Sequence, residues 1–214
     1  MNSAVIPVKS LTKSKSRLSK TFAQTELEAL SLSMLQDLLT ALLATPALDR
    51  VAVATPDDRA AALAERLGAE ALHGPDSSLK SAIDHSPEKL GLAENDALLI
   101  VLGDLPDAQP SELQSLFDAL KETQSPAVAL APSSDGGTSA LLRNPHSAIP
   151  SCFGPNSAAL HEEAAQKGSV PFKKVNVPSL HLDLDSVADI DQFWNSKGSG
   201  TATRATLAKI GWPK

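Results

Sequence analysis

Apolar positions along the chain follow two alternating rhythms: short β-branched runs, and longer stretches with a period of about 3.6 residues. Ala4 to Val8 is the first run; Thr25 to Leu43 is the first helical stretch, with Leu27, Leu30, Met34, Leu38 and Ala41 on one face. Arg50 to Ala54 predicts a second strand, Asp57 to Leu67 a helix opened by acids and closed by Gly68, and Ala71-Leu72 a short third strand. A helix is expected over Ser77 to His85. The run Ala97 to Leu102 is the most continuously apolar, as suits a central strand of a mostly parallel sheet covered on both faces. Ser111 to Lys121, after Pro110, predicts a helix, and Ala127 to Ala131 a strand.

Beyond this point the alternation loosens. Residues 132–180 read as an insertion over the ligand-binding edge of the sheet, holding the segment SSDGGTSALL, a helix from about Pro155 and a strand in FKKVNV. Leu180 to Leu184 predicts a last strand, Ser186 to Trp194 a closing helix, and residues 195–214 a tail without an assigned role. The pattern is that of an α/β protein whose mostly parallel sheet is covered on both faces. Open parallel sheets bind ligands at the carboxyl ends of their strands, which directs attention to the loops after Val8, Leu102, Ala131 and Leu184.

With 214 residues, 42% of them hydrophobic, the chain suffices for one core, so a single domain spanning 1–214 is expected. A lone cysteine, Cys152, excludes an internal disulfide, and no zinc-like His/Cys spacing occurs, so a metal here would be a hard cation held by oxygen. No apolar run approaches the roughly 20 residues of a membrane span and no leader peptide is evident, so a cytoplasmic location is expected.

Charge changes the picture at the amino end. The protein carries a formal charge of -6, yet Lys9, Lys13, Lys15, Arg17 and Lys20 precede its first acid, Glu26. They are interleaved with Ser10, Thr12, Ser14, Ser16 and Ser19. Such a run also resembles a disordered tail, a nucleic-acid patch or a presequence. The preceding β-branched strand speaks against a presequence; the acidic remainder, with no Tyr, two Trp and five Phe, offers few stacking platforms for nucleic acid. A strand leading into a basic, hydroxyl-rich turn and then a helix is an arrangement that holds phosphate.

Three further loops offer chemistry. Asp104, in GDLP, leaves the central strand at its carboxyl end, where a carboxylate projects into the crevice or else caps the next turn. Asp183 and Asp185, two apart in an extended segment, share a side and converge on a divalent cation, unless Asp185 is the N-cap of the closing helix. Like charges side by side need a cation, and three carboxylates suit magnesium, which keeps waters and takes substrate phosphates. Gly136 and Gly137 before Thr138 and Ser139 present amides and hydroxyls to an anion, or form an ordinary turn. Gly154 and Ser157, at the start of a helix, receive a small anion or simply cap it.

Taken in order, PVKSLTKSKSRLS, GDLP, DGGTSALL, FGPNSAALH and LDLDSVADI resemble the 2-phospho-L-lactate guanylyltransferase family of coenzyme F-420 biosynthesis, relatives of which use phosphoenolpyruvate or 3-phosphoglycerate. The resemblance implies a three-layer, Rossmann-like nucleotide-diphospho-sugar transferase (GT-A type) fold with a mostly parallel sheet and a small β insertion. It implies that Lys9, Lys15 and Arg17 grip the triphosphate of GTP, that Asp104, Asp183 and Asp185 hold Mg2+, and that Thr138, Gly154 and Ser157 receive the acceptor. Lys15, Arg17 and Asp104 would be the catalytic set. The chain departs from the family at Lys80 after Leu79 and at Ser139, where Asn is usual; both bear on base and acceptor choice.

The implied reaction transfers GMP from GTP to a phosphorylated three-carbon acid and releases pyrophosphate. Rival readings are a nucleotidyltransferase acting on a sugar phosphate or the molybdenum cofactor, a non-catalytic GTP-binding module, and a glycosyltransferase, which would not need the dense basic loop. The expected partners are GTP and the phospho-acid, without nucleic acid or membrane, and with a homodimer as the expected assembly.

Overall fold

A computed structural model describes residues 1–13, 15–75 and 78–213. Ser14, in the basic segment, and Ser77, the expected start of a helix, lie outside the described residues. Strands β1 (Asn2–Pro7), β2 (Arg50–Thr55), β3 (Glu70–His73), β4 (Ala97–Val101), β5 (Ala127–Pro132), β6 (Thr138–Asn144) and β7 (Phe172–Lys174) form one sheet. Its order is β3-β2-β1-β4-β6-β5-β7. All neighbours are parallel except β6, which runs antiparallel to both β4 and β5.

The alternation of apolar residues divides each central strand between two cores. Ala4, Ile6, Val51, Val53, Leu99 and Val101 face helices α1 (Gln24–Leu43), α2 (Asp58–Leu67) and α5 (Pro110–Asp118). Val5, Ala52, Ala54, Leu98 and Ile100 face α3 (Leu79–Asp84), α4 (Ser86–Leu90) and α6 (Ser157–Lys167). Local chemistry sets the helix ends. The Asp57 carboxylate accepts from the Arg59 amide at the start of α2, and Gly68 closes that helix at φ 93°. The expected three-layer α/β architecture is thus present.

Three details differ from expectation. The stretch 132–180, expected to lie over the sheet as an insertion, contributes β6 to the sheet itself, between β4 and β5. TSALLRN can lie in the interior of the sheet because its buried polar groups find partners elsewhere in the fold. The Ser139 hydroxyl donates to the Leu180 carbonyl at 2.6 Å, and Arg143 donates to the Ile149 carbonyl at 3.0 Å. Second, Leu180 to Leu184 is no strand. The sheet position beside β4 is filled by β6, so residues 181–186 cross the strand ends as irregular chain after a 3-10 turn (Pro178–Leu180). Third, the tail holds a helix: α7 (Val187–Asn195) is followed by α8 (Thr201–Lys209). Leu207 and Trp212 there join Leu30 and Met34 of α1, with Leu184 and Phe193, in a third apolar cluster. Among the described residues, no helix is long and apolar enough to cross a membrane.

Candidate active site

The basic segment folds as two single 3-10 turns, Leu11–Lys13 and Ser16–Leu18, pinned by the buried side chains of Leu11 and Leu18. Between them Lys15 takes the left-handed conformation (φ 56°), a backbone state that costs a non-glycine residue about 1–3 kcal/mol and tends to occur where function requires it. That turn aims its ammonium inward. Lys15 Nζ lies 3.0 Å from Asp104 Oδ2 and 2.7 Å from Asp185 Oδ1, with only 7% of its side chain exposed. Burial alone would lower its pKa, but the Asp104 and Asp185 carboxylates outweigh burial and hold it above the ordinary lysine value. Arg17 stands at the mouth, mostly in solvent, with Nη1 4.0 Å from Asp185 Oδ2. Lys9 is exposed and lines the crevice on both sides of Val8.

Asp104, Asp183 and Asp185 come together: one oxygen from each lies within 4.8 Å of the others. Their convergence arises without a strand. The Leu184 amide donates to the Asp104 carbonyl at 3.2 Å, and Leu184 is fully buried, so the two loops are stitched side by side. Nor is Asp185 the helix cap. Ser186 caps α7, accepting from the Asp189 amide, which leaves the Asp185 carboxylate to face Lys15. Burial, reinforced by the Asp104 charge, raises the Asp183 pKa, as expected of a carboxyl crowded by like charge. Asp104 Oδ1 is buried and has no hydrogen-bond partner among the described residues. A buried carboxylate oxygen left unpaired beside two further carboxylates is a ligand set in want of a cation, and an all-oxygen set suits a hard one.

The facing side of the crevice, where the acceptor residues were expected, is assembled by β6 and α6. Thr138 and Ser157 are both buried, and the Ser157 hydroxyl donates to Thr138 Oγ1 at 3.0 Å. Gly154 sits at φ 132°, closed to other residues. Asp104 and Asp183 line one cleft together with Thr138, Gly154 and Ser157. The paired glycines prove to be a turn: the Asp135 carboxylate accepts the Gly137 amide at 3.0 Å. At the α6 start the Ser157 and Ala158 amides are taken by the Gly154 and Gly136 carbonyls.

Leu79 lines the cleft beside Lys9, the Lys15 cleft and the Thr138 cleft alike. Lys80 points elsewhere and pairs with Asp84, while Ser139 is spent on the Leu180 carbonyl. Two residues escaped the sequence reading. Phe153 lines the cleft of Thr138 and Ser157, and His161 touches Thr138, donor and acceptor being 3.1 Å apart. The spacing of Ser157 and His161, four apart on one helix, was the available signal.

Solved structures place the fold. A protein from Desulfovibrio desulfuricans G20 assigned to the nucleotide-diphospho-sugar transferases superposes with a TM-score of 0.75 at 19% identity, covering 97% of this chain and 94% of that one. A CMP:2-keto-3-deoxy-manno-octonic acid synthetase complexed with CTP gives 0.61 at 14% identity, covering 98% and 99%. The class is that of the nucleotidyltransferases, on a nucleotide-diphospho-sugar transferase fold. Within it, residues 2–213 match the family described as guanylyl transferase CofC like, and the chain belongs to that family. It is 37% identical to a phosphoenolpyruvate guanylyltransferase of Sphaerobacter thermophilus over 191 residues, 89% of this chain and 91% of that protein. It is 30% identical to one from Roseiflexus sp. (strain RS-1), over 97% and 90%. The resemblance drawn from the motifs is borne out, and the chain is an enzyme of the guanylyltransferase kind.

Proposed function

We propose that this chain, acting as one nucleotidyltransferase domain in the cytoplasm, transfers the guanylyl group of GTP to phosphoenolpyruvate and releases pyrophosphate. The observation that carries the reading is the convergence of Asp104, Asp183 and Asp185 under the Lys15 ammonium, on the rim that also holds Thr138, Gly154 and Ser157. The choice of phosphoenolpyruvate over 3-phosphoglycerate or 2-phospho-L-lactate draws on the activity named for the relatives.

The chemistry asks for little covalent help. An acceptor phosphate oxygen, already ionised at neutral pH, attacks the α-phosphorus in line with the departing pyrophosphate, and the difficulty is to bring two anions together. Lys15 and Lys9 offset that repulsion along the triphosphate. Arg17, free to swing at the mouth, meets the charge that grows on the pyrophosphate. Thr138, Gly154 and Ser157 orient the acceptor. Asp104, Asp183 and Asp185 would hold Mg2+, which supplies charge neutralisation at the phosphates when bound.

The reading is tested by incubating the protein with GTP, Mg2+ and the three acids in competition, with products resolved by mass spectrometry. A guanylylated phosphoenolpyruvate product with one pyrophosphate per turnover is expected. A dominant product from another acid, or GTP consumption without transfer, refutes the acceptor assignment.

A further inference from the structure

Behind the acceptor cleft lies a side chain that neither the motifs nor the resemblance gave a role. His161, four residues into α6, is fully buried, with the Phe153 ring edge-on at 5.1 Å between centroids. The Cys152 amide donates to its Nε2 at 2.9 Å, so that nitrogen must carry a lone pair. In a neutral imidazole the proton then sits on Nδ1. Nδ1 lies 3.1 Å from Thr138 Oγ1, which also accepts from the Ser157 hydroxyl at 3.0 Å. A threonine hydroxyl has two lone pairs and one proton. With both lone pairs occupied, only the proton remains to be offered, and the open side of Thr138 is the cleft it shares with Asp104, Gly154 and Asp183.

Building on the assignment of Thr138 to the acceptor, we propose that His161 is a positioning residue for acceptor binding. Held in its Nδ1–H tautomer by the Cys152 amide, it donates to Thr138 Oγ1 and so turns the Thr138 hydroxyl proton toward the acceptor's anionic group. Burial and the nearby Arg143 charge push the His161 pKa down to about 4, which keeps the ring in this neutral form at physiological pH. The Cys152 amide donates to the ring and its side chain takes no part, so this assignment rests on its backbone position between Ser151 and Phe153.

Two substitutions separate positioning from mere packing. His161→Phe keeps a ring of similar size without either nitrogen; His161→Asn restores an N–H near the Nδ1 position. Steady-state kinetics with phosphoenolpyruvate, 3-phosphoglycerate and 2-phospho-L-lactate as probes should show the acceptor KM raised about tenfold in His161→Phe, the scale of one hydrogen bond to a charged group. The KM for GTP and kcat should stay within twofold, and His161→Asn should recover most of the loss. In a Thr138→Val background, His161→Phe should add nothing, a comparison that remains decisive where the single variant folds poorly. An unchanged acceptor KM in His161→Phe, a parallel rise in the KM for GTP, or additivity with Thr138→Val overturns the inference. If the parent chain transfers to none of the three acids, the acceptor reading itself fails, a result distinguishable from normal kinetics in the variant.

Discussion

Asp104→Asn is the sharpest test of the acidic rim, because it removes one charge and almost no volume. In the parent chain three carboxylates surround one ammonium, with Lys15 Nζ at 3.0 Å from Asp104 Oδ2 and an oxygen of each acid within 4.8 Å of the others. Unit charges about 4 Å apart at an effective dielectric of about 20 interact by about 4 kcal/mol. Solvent reaches a quarter of the Asp104 side chain, which screens the interaction to about 3 kcal/mol. At about 1.4 kcal/mol per tenfold, turnover should fall about a hundredfold. The fold should survive: the lost bond to Lys15 is offset by relief of repulsion from Asp183 and Asp185, so the melting temperature should move by only a few degrees. The assay is pyrophosphate release at saturating GTP and Mg2+, with a thermal melt monitored alongside. Turnover within threefold of the parent, at an unchanged melting temperature, would refute the assignment of Asp104 to the reacting phosphates.

Three further outcomes are expected. With its folded pKa pushed down to about 4, against about 6.5 unfolded, His161 contributes stability present above the unfolded value and lost as pH falls toward 4. Between pH 7 and pH 5 the loss is about 2 kcal/mol, so urea melts of parent and His161→Phe should converge by that amount, and parallel curves would contradict it. Gly154→Ala meets nothing within 4 Å but is strained at φ 132°; it should cost about 1–3 kcal/mol and raise the acceptor KM while sparing that for GTP, a pattern absent if the loop merely relaxes. Asp37 accepts from the amides of Ala202 and Thr203 at 2.9 and 2.8 Å. Asp37→Ala should therefore cost about 1–2 kcal/mol and expose the 201–209 amides to hydrogen exchange without altering kcat, and retained protection would show that packing alone holds the helix.

Periodicity revealed β1, β2, β4, α1 and α2 because their burial follows residue type: Val51, Val53, Leu99 and Val101 are inside for the ordinary reason. It failed at β6, where Ser139 and Arg143 are buried through hydrogen bonds that only tertiary neighbours supply. It failed at Leu180 to Leu184 because alternation shows which residues are apolar, while only the sheet shows that the neighbouring position is filled. The site was legible where a residue type is costly without a role, as with Asp104, Asp183 and Asp185. Ser139 and Lys80 show the converse, being departures in sequence whose polar atoms are engaged within the fold, by the Leu180 carbonyl and by Asp84. His161 was hidden because its one signal, the spacing of four from Ser157 on a helix, is shared by any pair of residues on one helical face.

The reversed direction of β6 has an evolutionary consequence. A strand laid against its neighbours' sense begins where they finish, so Thr138 emerges beside the end of β4, where the Leu102 amide donates to the Ser139 carbonyl. On the proposed reading the site then draws on separate lengths of polypeptide: residues 1–104 would hold the triphosphate, the hairpin and helix of 133–161 would grip the small acid, and Asp183 and Asp185 would close the acidic rim between them. Under that reading, substitutions within 133–161 would retune which acid is gripped and leave the nucleotide side as it is.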